Sequence, residues 1–209
     1  LARQAAHPQC FQIDGNQITR SHTDAQIAEG GFVKGLALDR AIQVIRDEFP
    51  QLELLSFDFG GQLAWWHHPD HSNPSGSSLV ANPLDRSSTV ASIAHGPEGS
   101  LATSGNSERG KVIDGQRRSH ILDPRTGKPV RDWGSVTVLI SGAQGGAACA
   151  ADCLSTALFV LGPTAGKALA NQLPGVEALF LEKAQDGLRW HTTDGMQSRL
   201  RRIQGSETP

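Results

Sequence analysis

Asp152 and Thr156 stand four residues apart in GAQGGAACAADCLSTALFVLG, residues 142–162, a glycine-rich entry followed by a small-residue run of helical character. Positions i and i+4 of an α-helix stack on one face, so a carboxylate and a hydroxyl look into the same small space. Such oxygens suit a hard divalent cation, magnesium above all, which keeps places for water and phosphate. The competing reading puts Asp152 in a first turn, answering the helix dipole, with Thr156 packed in the core. Lys34 follows Gly30 and Gly31 at the start of an apolar-periodic segment. Free amides at a helix start plus a mobile ammonium make an anion cradle. A solvated surface lysine is the alternative, although the helix dipole disfavours a cation there. His120 precedes Asp123-Pro124 and Thr126-Gly127, turn pairs that force a tight loop. An imidazole fixed at a strand end is either a proton acceptor or a hydrogen-bonded structural side chain. Thr103 and Ser104 fall in LATSGNSERG, which reads as a small polar turn able to offer hydroxyls and amides to a phosphate or ribose.

These groups need elements to hold them. Residues 9–20 read as a hairpin around Asp14-Gly15-Asn16. FVKGLALDRAIQVIRDEF has near-helical apolar spacing and stops at Pro50. Leu52 to Phe59 alternates as a strand, Gly60-Gly61 breaks it, and Gln62 to Trp66 resumes. Short strands follow at 78–81 and 88–94 around a Pro-Leu-Asp turn. Ser135 to Ser141 is the strongest strand signal, rich in β-branched residues, and feeds the helix that carries Asp152. Pro163 to Leu173 reads as another helix. Val176 to Leu181 and Leu188 to Thr192 read as a closing antiparallel pair, and the tail frays after Ile203. HHPDHSNPSGSS carries His67, His68, Asp70 and His71, but this Pro/Ser-rich loop has no companion site and reads as polar surface rather than zinc.

The chain has 209 residues, enough for one sizeable core or two small lobes. With 38% hydrophobic and 19% charged residues it is globular, and its 23 glycines and 11 prolines favour a mixed α and β protein over a helical bundle. A net charge of −2 gives no electrostatic reason for a nucleic-acid or anionic-membrane partner. Three cysteines form no complete disulfide framework, and Cys149 and Cys153 read as buried free thiols. No run of residues reads as long and apolar enough to span a bilayer. The chain opens on Leu1 without a signal peptide, the expectation for a processed, trimmed or excised product.

GGFVKGLALDRA, FGGQL, ATSGNSERG, SHILDPRTGKPV, SVTV and AADCLSTALFVLG occur in this order, and together they resemble the ApbE family from about Phe11 to the end of the chain. These are the flavin transferases, FAD:protein FMN transferases. The resemblance implies an α+β, ApbE-like (T-fold-related) mixed domain with an antiparallel sheet and a central glycine-entered helix. It would be one unit over 1–209, with a soft lobe division near residue 130. The implied activity is Mg²⁺-dependent transfer of FMN from FAD to a Thr or Ser hydroxyl of an acceptor redox protein, with release of AMP; some members hydrolyse FAD to FMN and AMP. By motif, Asp152 and Thr156 match side-chain Mg²⁺ ligands, and the carbonyls of Gly31 and Ser155 match backbone ones. Lys34 matches the lysine that meets the cofactor, and His120 the base toward the acceptor hydroxyl. Thr103, Ser104 and the backbone at Ile121 lie where the family contacts the nucleotide. Asp39, the acid of KGxxxD, reads as structural. The family also implies a periplasmic or membrane-anchored setting on the outer face of the inner membrane.

The chain departs from the family pattern at three places. Ala28 stands where an Asp is usual, Gln62 replaces the acid of a GGD element, and the family's N-terminal portion, part of the flavin and adenine pocket, is absent. Three consequences stay open: a second chain completes the pocket, the chain is a fragment, or it is a reduced member that binds flavin without turnover.

Overall fold

The computed structural model describes residues 10–70, 75–106, 111–113, 116–142 and 145–203. A hairpin of β1 (Phe11–Asp14) and β2 (Gln17–Arg20) turns at Gly15, as the Asp-Gly-Asn signal predicts. A 3₁₀ turn at Glu29–Gly31 leads into helix α1 (Val33–Glu48), which ends before Pro50. Strands β3 (Leu54–Asp58) and β4 (Gln62–His67) flank Gly60-Gly61. Next come β5 (Gly76–Ala81), β6 (Thr89–His95) and β7 (Glu98–Gly105). Two small hairpins follow, β8 (Lys111–Ile113) with β9 (Gln116–Arg118), and β10 (Leu122–Asp123) with β11 (Lys128–Pro129). Then β12 (Gly134–Ser141) runs into helix α2 (Ala147–Ala170). The described chain closes with β13 (Val176–Ala184), β14 (Gly187–Thr192), helix α3 (Asp194–Arg199) and β15 (Leu200–Arg202).

The main sheet has six antiparallel strands in the order β14-β13-β12-β7-β4-β3. Its period-2 alternation feeds two cores. Val136, Val138, Ala178 and Phe180 face α2 and pack with Leu158, Phe159 and Trp133. Leu101, Leu139, Leu179 and Leu181 face the other way and pack with Val80, Val90, Ile93 and Met196. The latter residues belong to a three-stranded sheet, β15-β6-β5, and to α3. The architecture is therefore α+β in three layers: two helices, a central antiparallel sheet, and a smaller sheet. Strands from both sides of residue 130 share the main sheet, with β12 lying beside β7.

Three expectations are corrected. LATSG is not a turn: Glu98–Gly105 is an eight-residue strand inside the main sheet. Its small polar residues are weak strand formers, and pairing on both edges, with β12 and β4, supplies what propensity does not. The expected burial of the thiols holds only in part, because Cys149 is half-buried and Cys153 exposed, on a helix face turned away from the sheet; all three cysteines are free. Among the described residues α2 is long and apolar enough, by length and composition, to cross a membrane, where the sequence shows no such run. The run comprises two helical segments that meet at Gly162, whose backbone is non-helical (φ 78°, ψ 174°), and the second is the helix expected from Pro163. It serves as a core helix, with Leu158 and Phe159 fully buried. Ahead of Ile203 the chain also forms α3 and β15, which pairs with β6; the residues expected to fray after Ile203 lie outside the described residues, as does His71 of the histidine loop.

Candidate active site

The N-terminus of α2 is built by its neighbours. Its N-cap, Gly146, is left-handed (φ 82°) and has no side chain to cap the first turn. Asp39 on α1 supplies the cap instead, its carboxylate accepting from the amides of Ala148 at 3.0 Å and Cys149 at 2.8 Å. The two helices touch at Gly35, where a Cβ would overlap the Ala148 carbonyl. That carbonyl also accepts from Gln62 Nε2 on β4, at 2.6 Å. One turn further along α2, Asp152 is thereby aimed at the start of α1.

Asp152 lies in the second turn of α2, beyond the reach of a first-turn dipole role, and is 4% exposed. Lys34 Nζ stands 2.6 Å from its Oδ1, and the Gly35 amide donates to Oδ2 at 3.2 Å. A buried charge without a partner is costly, and this pair with its extra amide satisfies both oxygens. Hydroxyls gather beside it. Ser104 Oγ lies 2.9 Å from Ser155 Oγ and 3.4 Å from Thr156 Oγ1. A Cβ on Gly31 would sit 3.7 Å from Thr156 Oγ1, which places the Gly31 backbone against the same cluster.

These groups face a cleft of about 640 Å³ at one end of the main sheet. It is lined by Gly31, Lys34, Thr103, Ser104, His120, Ile121, Asp152 and Thr156, so the sequence-selected residues come together there, apart from Ser155, which reaches it through Ser104. The helix runs unbroken from Ala147 to the Gly162 kink. It therefore directs the Ser155 carbonyl along its axis toward the amide four residues on. Thr103 Oγ1 is paired with Thr137 Oγ1 at 2.9 Å. The backbone of Ile121 is also engaged: its amide donates to Ser119 Oγ at 2.9 Å and its carbonyl accepts from Val130 at 2.9 Å. His120 is exposed at the rim, between β9 and β10.

Arg86 and Ser135 line the cleft too and escaped sequence reasoning, and Gln62, noted there only as a departure from the GGD element, joins them. Arg86, on the β5–β6 loop, brings a second cation, and Ser135 and Gln62 bring buried polar atoms. Ser135 Oγ and Gln62 Oε1 have no hydrogen-bond partner among the described residues, which suits a wall that meets a polar ligand. The Asp85 carboxylate that orders the loop is held below its ordinary range by bonds from Ser87, and only this turn chemistry in NPLDRSS hinted at a built loop.

Among the described residues no three His, Cys, Asp or Glu side chains converge as a metal cluster. The donor set here is one carboxylate, hydroxyls and backbone carbonyls. It fits magnesium, which takes few protein oxygens and completes its shell with water and phosphate. That Asp152 already holds a cation, the ammonium of Lys34, shows a locus arranged for positive charge.

Fold and site define the class, an α+β protein with the ApbE architecture and an oxygen-rich cleft. The ApbE protein of Thermotoga maritima superposes with a TM-score of 0.78 at 27% identity, over 96% of this chain and 63% of that one. The apo flavinyl transferase ApbE of Pseudomonas stutzeri gives 0.72 at 26%, over 94% and 58%. The model of the ApbE family matches residues 1–180, and the chain belongs to that family. An FAD:protein FMN transferase of Rhodobacter capsulatus is 32% identical over 193 residues, 92% of this chain but 34% of its own length. One from Klebsiella pneumoniae is 31% identical over 159 residues, 75% of this chain and 46% of its own. The chain thus spans about a third to a half of these curated relatives.

Proposed function

We propose that this chain transfers FMN from FAD to a Thr or Ser hydroxyl of an acceptor redox protein, with magnesium, releasing AMP. The observation that carries the reading is the convergence of Lys34, Ser104, His120, Asp152 and Thr156 on one cleft. The relatives' name, FAD:protein FMN transferase, supports the reaction class. The acceptor oxygen bonds to the FMN-side phosphorus, the bond from that phosphorus to the bridging oxygen breaks, and AMP leaves with that oxygen. His120 takes the hydroxyl proton at the rim. The Lys34 ammonium meets the phosphoryl oxygens. Asp152, Thr156 and the Gly31 carbonyl would hold magnesium, which neutralises phosphoryl charge when bound. A second chain would complete a cleft that is open on one side, and the setting proposed is the periplasmic face of the inner membrane.

Incubation of the chain with FAD, Mg²⁺ and an acceptor subunit tests this. A fluorescent flavinylated acceptor and equimolar AMP are expected, with Asp152→Ala slower by about 10²–10³-fold. Flavin bound tightly with neither product would overturn the transferase reading. AMP formed without acceptor would instead assign FAD pyrophosphatase activity, with water at the exposed rim in place of the hydroxyl.

A further inference from the structure

The carboxylate proposed to hold magnesium is already occupied. Oδ1 of Asp152 carries Lys34 Nζ at 2.6 Å, and Oδ2 carries the Gly35 amide at 3.2 Å. A divalent cation seated on Asp152 would share that carboxylate with a positive ammonium in a buried site, where like charges repel strongly. The two positions differ in freedom. Asp152 is fixed on α2 with its side chain 5% exposed, whereas Lys34 has a flexible four-carbon stem and a side chain 26% exposed to the cleft. Lys34 can therefore leave Asp152 without disturbing either helix, and the amide of Gly35 stays behind on Oδ2.

We infer that Lys34 is the resident counter-cation of the metal site. It closes Asp152 while the cleft is empty and moves to the pyrophosphate when a divalent cation and a dinucleotide arrive together. This rests on the proposed function, in which Asp152 and Thr156 hold magnesium. Each ligand alone must break the ion pair and leaves one charge poorly matched. Metal alone strands the ammonium, and dinucleotide alone strands the carboxylate. Together they break the pair once and satisfy both halves, so each tightens binding of the other by the same factor. The site thereby avoids holding a divalent cation in the absence of its nucleotide.

The test measures Mn²⁺ binding by the electron-spin-resonance signal of the free ion, with and without FAD. In the wild-type chain, FAD is expected to tighten Mn²⁺ binding by about 5- to 150-fold, the usual range of such coupling. Lys34→Met is expected to tighten Mn²⁺ binding without FAD by a similar factor and to shrink the FAD effect toward one. Lys34→Arg, which keeps a cation on Asp152, should bind Mn²⁺ without FAD as weakly as wild type. If Lys34→Met folds poorly, its melting temperature should recover with Mn²⁺, since the metal replaces the lost charge. A purely structural ion pair predicts the reverse, with Mn²⁺ affinity unchanged or weaker in Lys34→Met, and that result overturns the inference alone. Absence of Mn²⁺ binding in wild type even with FAD overturns the inference and the proposed function together.

Discussion

Both oxygens of Asp152 are engaged by neighbouring groups of the protein, and the geometry of that one carboxylate organises the cleft. A different titratable residue contributes acid sensitivity to the fold. His95 on β6 stacks on Trp65 with ring centroids 3.8 Å apart, its Nε2 3.2 Å from Ser78 Oγ and its Nδ1 3.2 Å from the Gly96 carbonyl. Burial holds its imidazole below the ordinary value of 6.5, the Gly96 carbonyl opposes, and the charges of His67 and Arg199 add to the lowering. In the unfolded chain the imidazole takes its proton first as pH falls. The contribution to stability is therefore complete above pH 6.5, is lost progressively below it, and is fully lost once pH passes the depressed folded value. Melting temperature should fall below pH 6.5 in the wild type, and His95→Gln should flatten that fall; equal slopes would show that other groups dominate. At this scale the chemistry-bearing types were legible in the sequence, but their partners were not. Lys34 was legible as a cation at a helix start, while its contact with a carboxylate 118 positions away was not.

At the scale of elements, the junction of α1 and α2 positions the site. Gly35 lets the helices touch, and Asp39 caps the first turn of α2. Asp39→Ala removes both acceptors from that turn and should destabilise the protein by about 1–2 kcal/mol, read as a lower denaturant midpoint, with Asp39→Asn in between. Gly35→Ala should cost more than Asp39→Asn, because the added methyl meets backbone rather than a mobile side chain. Helix α1 was legible from apolar spacing and from Pro50, and α2 from its glycine-rich entry, its small-residue run and the helix start at Pro163. Strand β7 was not, because ATSG has turn composition and becomes a strand only between β12 and β4.

The whole molecule is a sheet buried on both faces, and the cleft opens where its layers meet. Phe159 is fully buried and stacks on Trp133 with centroids 4.9 Å apart, in the core that joins α2 to the sheet. Phe159→Ala should cost about 3–5 kcal/mol and lower the melting temperature. Because Asp152 and Thr156 ride on the same helix, metal affinity should fall with it. An Asp152→Ala protein should lose metal affinity while retaining this core. Comparing the two variants by melting and by Mn²⁺ titration separates loss of the site from loss of its platform.

By itself the sequence determined the family, the glycine-entered helix, the strong strand before it, and the residue types able to manage a phosphate, a metal and a proton. Those follow from local periodicity, turn chemistry and motif spacing, which a linear chain carries in full. The tertiary structure alone decided that Lys34 closes Asp152, that Asp39 and Gln62 meet at Ala148, and that a polar ATSG segment becomes a central strand. The reason is physical: a hydrogen bond or ion pair between residues about a hundred positions apart depends on how the layers pack, and packing is settled by the summed burial of the chain rather than by any one segment.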